Sequence, residues 1–454
     1  MTLTEVLSEF VYHLKYEDLE EVDVDFTKLC ILDWYGSALA GSSEPPVQAL
    51  KDLLEEWGGN PQASLVTGGK SSVGNAVLVN GAASHVVELD DIHKSSIIHA
   101  GTVVIPAALA IAEAHQLSGK EMITAIAAGY EVCYRIGEAV SPSHYYYFHN
   151  TATCGTFGAA AAVAKLLKLN PVQMAHALGN AGSQAAGLWE FIEDGAMTKQ
   201  LHTAKAAYNG TMAAVLAQKS FTGASRILEG RRGFFEAMAE QADAQKITEG
   251  LGQQLKIREN SFKIHASCRH THPSVDCVLK IKNAHEFQVE EIRSIKVKTY
   301  KTVLEITDKP VVNSIYSSKF STQFCAALAM YKGSASLSDF NEETLRSQII
   351  KKLMAKVEVK EDAYYEAAYP EKWGASVEVK LQNGISYSAH TDFPKGDPEQ
   401  PADKDELVKK FMELTGDKLV DPLGEASLIL KLEEINVPDW ISRTISTENI
   451  GTAQ

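Results

Sequence analysis

Residues 88–101, ELDDIHKSSIIHAG, place three carboxylates (Glu88, Asp90, Asp91), two histidines (His93, His99) and a lysine within one short stretch of otherwise apolar, alanine-rich sequence. Taken alone, the stretch suits a solvated helix end followed by a loop. His99-Ala-Gly, however, runs directly into TVVIPAALAIAEA, an apolar helix, so His99 is expected at a buried helix entrance. The positive end of that helix would favour the neutral, base-competent imidazole.

Three further clusters have similar chemistry. SHYYYFHNTATCGTFG carries His144, Tyr145, Tyr146, Tyr147 and His149 just ahead of a glycine-rich helix start. Consecutive tyrosines more often pack or form interfaces than catalyse, whereas a histidine beside free helix N–H groups suits a carboxylate ligand. GAMTKQLHTAKAAYNG sets Lys199 and His202 three apart, on one face of a helix, with Lys205 pointing elsewhere as a snorkelling surface group. HASCRHTHPSVD contains His265, Cys268, Arg269, His270 and His272. Zinc sites show paired ligand spacing that this stretch lacks, and a guanidinium repels a metal while pairing readily with a carboxylate. No metal is expected there.

The inventory is therefore histidines as acid–base groups with Lys199 and Arg269 as positive charges. No phosphate loop, dinucleotide fingerprint or nucleophile elbow is present. Such a set suits a small polycarboxylate. Proton abstraction beside a carboxylate, or loss of CO2 from it, needs a positioned acid or base, worth roughly 10²–10⁴ in rate, and groups that stabilise the developing charge.

The elements that must position these groups divide the chain. Up to about residue 255 the pattern is helical. Ser118-Gly-Lys-Glu121 is a capping box, and Asn170-Pro171-Val172-Gln173 starts a second helix with a side-chain cap and a first-turn proline. After residue 258 the stretches 292–300, 355–362 and 375–391 alternate apolar and polar residues as half-buried strands do, and Asn383-Gly384 signals a hairpin. A polar connector at 393–406 leads back to helix. The expected fold is mainly α: a large all-helical domain from both chain ends (1–258 and 396–454) with an inserted smaller α+β lid domain (259–395).

At 454 residues the chain can bury a large core, and its net charge of −15 offers no basic stripe for nucleic acid. The N-terminal stretch is acidic and amphipathic, unlike a signal peptide, and the most apolar window is stopped by Lys165, short of a membrane span. Six dispersed cysteines without a C-x-x-C pair read as reduced thiols of a cytoplasmic protein.

These stretches carry a resemblance. ELDDIHKSSIIHAGTVVIPAALA, MTKQLHTAKAAYNG with the following GFFEAM, SCRHTHPSVD, KFSTQFCAALAM and VEVKLQNG, in this order and nearly end to end, resemble the MmgE/PrpD family of 2-methylcitrate dehydratases, cis-aconitate decarboxylases and an iminodisuccinate epimerase. The resemblance implies a helical domain with an α+β lid, a homodimer, a small polycarboxylate substrate, and neither cofactor nor metal. Carried over by position, it implies Asp90, Asp91, His99, His149, Lys199 and His272 as catalytic residues. Glu88, His93, Lys199, Cys268, Arg269 and His270 are the expected substrate contacts. The lid residue within 265–272 is not fixed by alignment. Animal-type decarboxylases of the family carry aspartate where Glu88 stands and threonine where Ile92 stands. The expected activity is a cofactor-independent lyase, with cis-aconitate decarboxylation to itaconate favoured over 2-methylcitrate-type dehydration. The rival readings are an epimerase or isomerase and a non-enzymatic scaffold of the same fold.

Overall fold

Alanine and glycine dominate the segments that form the helical core, and this decides how closely the helices pack. A computed structural model describes residues 1–444 as a mainly α protein in two compact units. The first comprises Met1–Val86, Asp90–Asn260 and the chain from Asp403; the second comprises Val87–Leu89 and Ser261–Ala402.

In the first unit the helices Gly101–Ala114, Gly119–Val140, Pro171–Gly182 and Thr198–Gln218 surround Asn150–Leu166, while Val73–Val86 packs against Gly101–Ala114 and Thr198–Gln218. Asn150–Leu166 is buried along nearly its whole length, so an amphipathic stripe is replaced by small residues on all sides. Ser118 accepts from the Glu121 N–H while Glu121 Oε2 accepts from the Ser118 N–H, closing the expected capping box. Asn170 and Gln173 form the same reciprocal pair ahead of Pro171–Gly182. A two-residue antiparallel pairing, Ala63–Ser64 with Lys70–Ser71, was not expected from the sequence, because two residues give no measurable alternation. Among the described residues no helix is long and apolar enough to cross a membrane.

The second unit holds a four-stranded sheet in the order Val357–Glu361, Ile292–Thr299, Ala375–Leu381, Ser386–Thr391; the first pair is parallel and the others antiparallel. Ile295, Val297, Val377 and Val379 fill the buried face, which the helices His272–Ala284 and Thr322–Lys332 help cover. The Asn383-Gly384 hairpin forms as expected, with Gly384 at φ +93°. The stretch NEETLRSQIIKKLM, whose pattern is that of one continuous helix, is broken into Glu342–Arg346 and Gln348–Met354, and Ser347 caps the second piece through its hydroxyl.

Close approach is marked where Thr198–Gln218 crosses Asn150–Leu166. A Cβ on Gly210 would lie 2.5 Å from the Thr156 carbonyl oxygen and 2.6 Å from Ala159 Cβ. Helix propensity alone would make Gly210→Ala stabilising by about 1 kcal/mol. Overpacking against backbone costs about 1–3 kcal/mol and wins. Thermal melts followed by circular dichroism are therefore expected to show a lower midpoint for Gly210→Ala; a raised midpoint would mean these helices are not packed this closely.

Candidate active site

Three helix starts converge in the first unit, and each contributes a chemically active side chain. His99 lies two residues before Gly101–Ala114, His149 is the N-cap of Asn150–Leu166, and Lys199 is the second residue of Thr198–Gln218. The starts are tied together: the His99 N–H donates to Thr151 Oγ1 at 3.1 Å, and His149 Nδ1 meets His202 Nδ1 at 3.4 Å. Free N–H groups and aligned peptide dipoles give helix starts a positive potential. Lys199 is only 3% exposed, and an ammonium there is in an unfavourable position for helix stability. The arrangement suits an anion better than it suits folding.

At the centre is Asp90, fully buried. His85 Nδ1 donates to Asp90 Oδ2 at 2.6 Å, and His99 Nδ1 lies 3.3 Å from the same oxygen without the alignment of a hydrogen bond. Burial alone would raise the Asp90 pKa, but the two imidazoles outweigh it and hold the carboxyl well below its ordinary range. The His85 ring packs edge-on against His99, centroids 4.8 Å apart, and stacks on His149 at 5.7 Å. His149 in turn approaches His202 at 5.6 Å. Burial, opposed by Asp90 and reinforced by Lys199, lowers His85 to about 4. Burial and then His85, His202 and Lys199 hold His149 well below its ordinary value, and burial with Lys199 brings His202 to about 4. At neutral pH these three rings are uncharged.

Asp91 faces other groups. Its Oδ1 accepts from the Gly101 N–H at 3.0 Å, and its Oδ2 accepts from the Tyr130 hydroxyl and the Asn260 amide, each at 2.8 Å. Burial and the neighbouring Asp33 push it up to about 7 against the pull of those donors. It anchors the start of Gly101–Ala114. His93 is likewise occupied: it bonds Ser96 at 2.8 Å, lies 3.3 Å from Glu259 and stacks on Tyr134. Among the tyrosines, Tyr145 packs on Trp189 while Tyr146 and Tyr147 are 75% and 60% exposed.

The remaining expected residues lie in the second unit. Glu88, at φ +60°, is buried with Lys263 Nζ 3.4 Å away. Arg269 is paired with Asp397 and donates to His272 Nδ1 at 3.0 Å, so its charge already has an internal carboxylate. His272 is held well below its ordinary pKa by burial and then Arg269. His265 bonds Asp276 at 2.8 Å, His270 bonds Tyr300 and stacks on Trp373, and Cys268 caps the short turn Arg269–Thr271.

Sequence reasoning missed His85. A lone histidine in VNGAASHVV offers no signal beyond its place five residues ahead of Asp90. His202 was noted for its spacing from Lys199 but not placed among the site residues. The His85, Asp90 and His99 donor atoms lie within 4.8 Å of one another, a spacing compatible with a metal. The positive charge of Lys199 beside His85 and the 2.6 Å hydrogen bond favour proton handling over metal ligation. A cavity of about 560 Å³, lined by Phe191, Thr198, His202 and Lys205, reaches the cluster at His202 alone of its residues. A larger one of about 730 Å³, around Tyr16, Lys120 and Lys165, shares no residue with it.

The neutral rings fix a sign for the pH dependence of stability. Between about 4 and 6.5 the unfolded chain binds protons that buried imidazoles refuse, so these groups' contribution is lost on acidification through that window. Asp91 acts in the opposite direction. Comparing His202→Asn with the parent protein isolates one imidazole: the difference in melting midpoint, variant minus parent, is expected to rise as pH falls from about 6.5 to about 4. A difference that stays constant would show that His202 is protonated equally in both states.

Residues 5–247 match the MmgE/PrpD N-terminal domain and residues 265–433 the MmgE/PrpD C-terminal domain. A cis-aconitate decarboxylase-like protein oryM of Aspergillus oryzae is 25% identical over 441 residues, covering 91% of this chain and 90% of its own length. Cis-aconitate decarboxylase of Aspergillus terreus is 25% identical over 445 residues, 91% of this chain and 89% of its own. Cis-aconitate decarboxylase of Mus musculus is 24% identical over 473 residues, 99% and 94% respectively. The two domain matches cover most of the sequence, and the chain belongs to the MmgE/PrpD family.

Proposed function

We propose that the protein is a lyase acting on a small di- or tricarboxylate, with cis-aconitate decarboxylation to itaconate as its reaction and 2-methylcitrate-type dehydration as the alternative. The observation that carries this reading is the meeting of three helix starts around His99, His149 and Lys199. A multiply charged acid taken out of water needs concentrated positive potential, and a chain with a net charge of −15 must supply it locally. Lys199 gives a full charge, and the aligned peptide dipoles of the helices that begin at Asn150 and Gly101 give partial ones.

In this reading His149 and Lys199 hold carboxylates and His99 moves the proton. Of the two candidate carboxylates, Asp90 is the one beside His99, while Asp91 is spent on Gly101, Tyr130 and Asn260. Decarboxylation leaves the C–C electron pair on the carbon skeleton as CO2 departs, and a proton delivered from protonated His99 completes the product. Dehydration would use the same imidazole in its neutral form to remove a proton from carbon as the hydroxyl leaves. An isomerase would need a second acid–base group across the substrate carbon from His99, a role for Tyr145 or Lys199, whereas Tyr146 and Tyr147 are 75% and 60% exposed. The reading rests on the first unit alone. The family and the cis-aconitate decarboxylases similar over nearly their whole length support it.

Product formation from cis-aconitate and from 2-methylcitrate, without added metal, is the direct assay. His99→Ala and Lys199→Ala are each expected to lower kcat/KM by roughly 10²–10⁴ while leaving the far-UV spectrum intact. Turnover of neither substrate by folded protein, or full activity in both variants, would remove this assignment.

A further inference from the structure

We propose that His85 is a positioning residue of this site: it keeps Asp90 ionised and aligned, and by sharing one carboxylate oxygen with His99 governs how readily His99 takes up a proton. The inference rests on the reading of His99 as the proton-moving group and adds a residue to it.

His85 occupies the last turn of Val73–Val86 and is fully buried. The chain then turns through Glu88 at φ +60°, a conformation uncommon outside glycine and costly to hold, and Asp90 returns to the His85 ring. An ionised carboxylate only accepts, so His85 must donate from Nδ1. Its Nε2 is left as a bare lone pair, buried and without a hydrogen-bond partner among the described residues. Leaving such an acceptor unpaired forfeits its hydration without replacing it. Packing gives no reason for that arrangement: asparagine could donate to Asp90 at the same place, and an apolar residue would avoid the orphan altogether. What imidazole supplies is a rigid, oriented donor, the same device by which a carboxylate and an imidazole hold each other in register in hydrolase triads.

The shared oxygen makes the coupling specific. Asp90 Oδ2 lies 2.6 Å from His85 Nδ1 and 3.3 Å from His99 Nδ1, and Asp90 Oδ1 has no partner among the described residues. While His85 occupies Oδ2, His99 has a weakened claim on it. The other ionisable groups near this pair include Asp91, whose charge couples to that of Asp90, His149, stacked on His85, and Lys199, whose charge opposes protonation of His85 and His149. Removing the His85 donor releases Oδ2 to protonated His99, which should then hold its proton to higher pH. The same loss leaves Asp90 less stabilised as an anion.

The test compares full-length protein carrying His85, His85→Leu, His85→Gln and His85→Asn, each labelled with 15N-histidine. His99→Asn identifies the His99 resonance. His85→Leu and His85→Gln lack a donor at the Nδ1 position and are expected to raise the His99 titration midpoint by about half a pH unit or more. They should also lower kcat on cis-aconitate by about 10- to 100-fold with little change in KM, and move the acid limb of the rate profile upward. His85→Asn, whose amide stands where Nδ1 stood, should return both readings close to the parent. An unchanged His99 titration in folded His85→Gln, or a His85→Asn variant indistinguishable from His85→Gln, overturns the proposal. Should His85→Leu not fold, the Gln and Asn pair still decides. The titration needs no substrate, so a failure of the decarboxylase assignment shows up separately as absent turnover in the parent protein.

Discussion

Asp90 is a carboxylate with no exposed surface, and the arrangement around it follows from the cost of keeping it charged. Moving such a group out of water costs several kcal/mol unless charge and hydrogen bonds replace the lost hydration. Here the replacement is unusual: one short bond from His85, a second imidazole close by, and the positive charge of Lys199 in the neighbourhood. A direct lysine or arginine partner would stabilise the anion more strongly but would commit it to an ion pair. Neutral imidazoles leave the carboxylate polarising and able to respond to a proton. The backbone bears part of the cost, with Glu88 and Ile97 both in the left-handed region on either side of Asp90.

The frame that permits this is made of small residues. Three helix starts can meet only if the helix bodies behind them pack at short range, and Gly129, Gly158 and Gly210 each face a neighbouring helix with no room for a Cβ. Helix propensity is sacrificed at these positions to gain proximity. Asp91 then secures the geometry from the other side, tying the start of Gly101–Ala114 to Tyr130 and Asn260. Adjacent aspartates thus differ in environment: one is anionic beside imidazoles, and the other is pushed up to about 7 among hydroxyl and amide donors.

Much of this could be read from sequence where the signal is local and periodic. The capping boxes at Ser118 and Asn170, the alternating strands and the Asn383-Gly384 turn all depend on residues within a few positions of one another, and each appears as expected. The break at Ser347 was not foreseen, because a serine in mid-pattern is as compatible with continuing as with capping. Within the site, His99, His149 and Lys199 were recognisable because polar groups beside helix starts are conspicuous in apolar sequence. His85 was not, since its neighbours in sequence are alanine, serine and valine and its importance comes entirely from a turn that brings Asp90 back to it. Likewise nothing in HASCRHTHPSVD indicates that Arg269 is paired with Asp397, more than a hundred residues away.

The balance of charged and uncharged groups bears on what such a cluster would select. A site built from several fixed cations would bind phosphates and carboxylates alike, and would bind them before and after reaction with similar strength. Uniform binding of that kind lowers KM without raising the rate of the chemical step. Helix starts and neutral imidazoles interact with an anion more weakly and directionally, and the imidazoles can gain or lose a proton as charge shifts within the substrate. When CO2 leaves a carboxylate, or hydroxide leaves a neighbouring carbon, negative charge moves by one or two bonds. A cluster in which His99 can change charge while Asp90 remains ionised could follow that movement, and in the proposed reading this is what the buried carboxylate contributes to the chemistry.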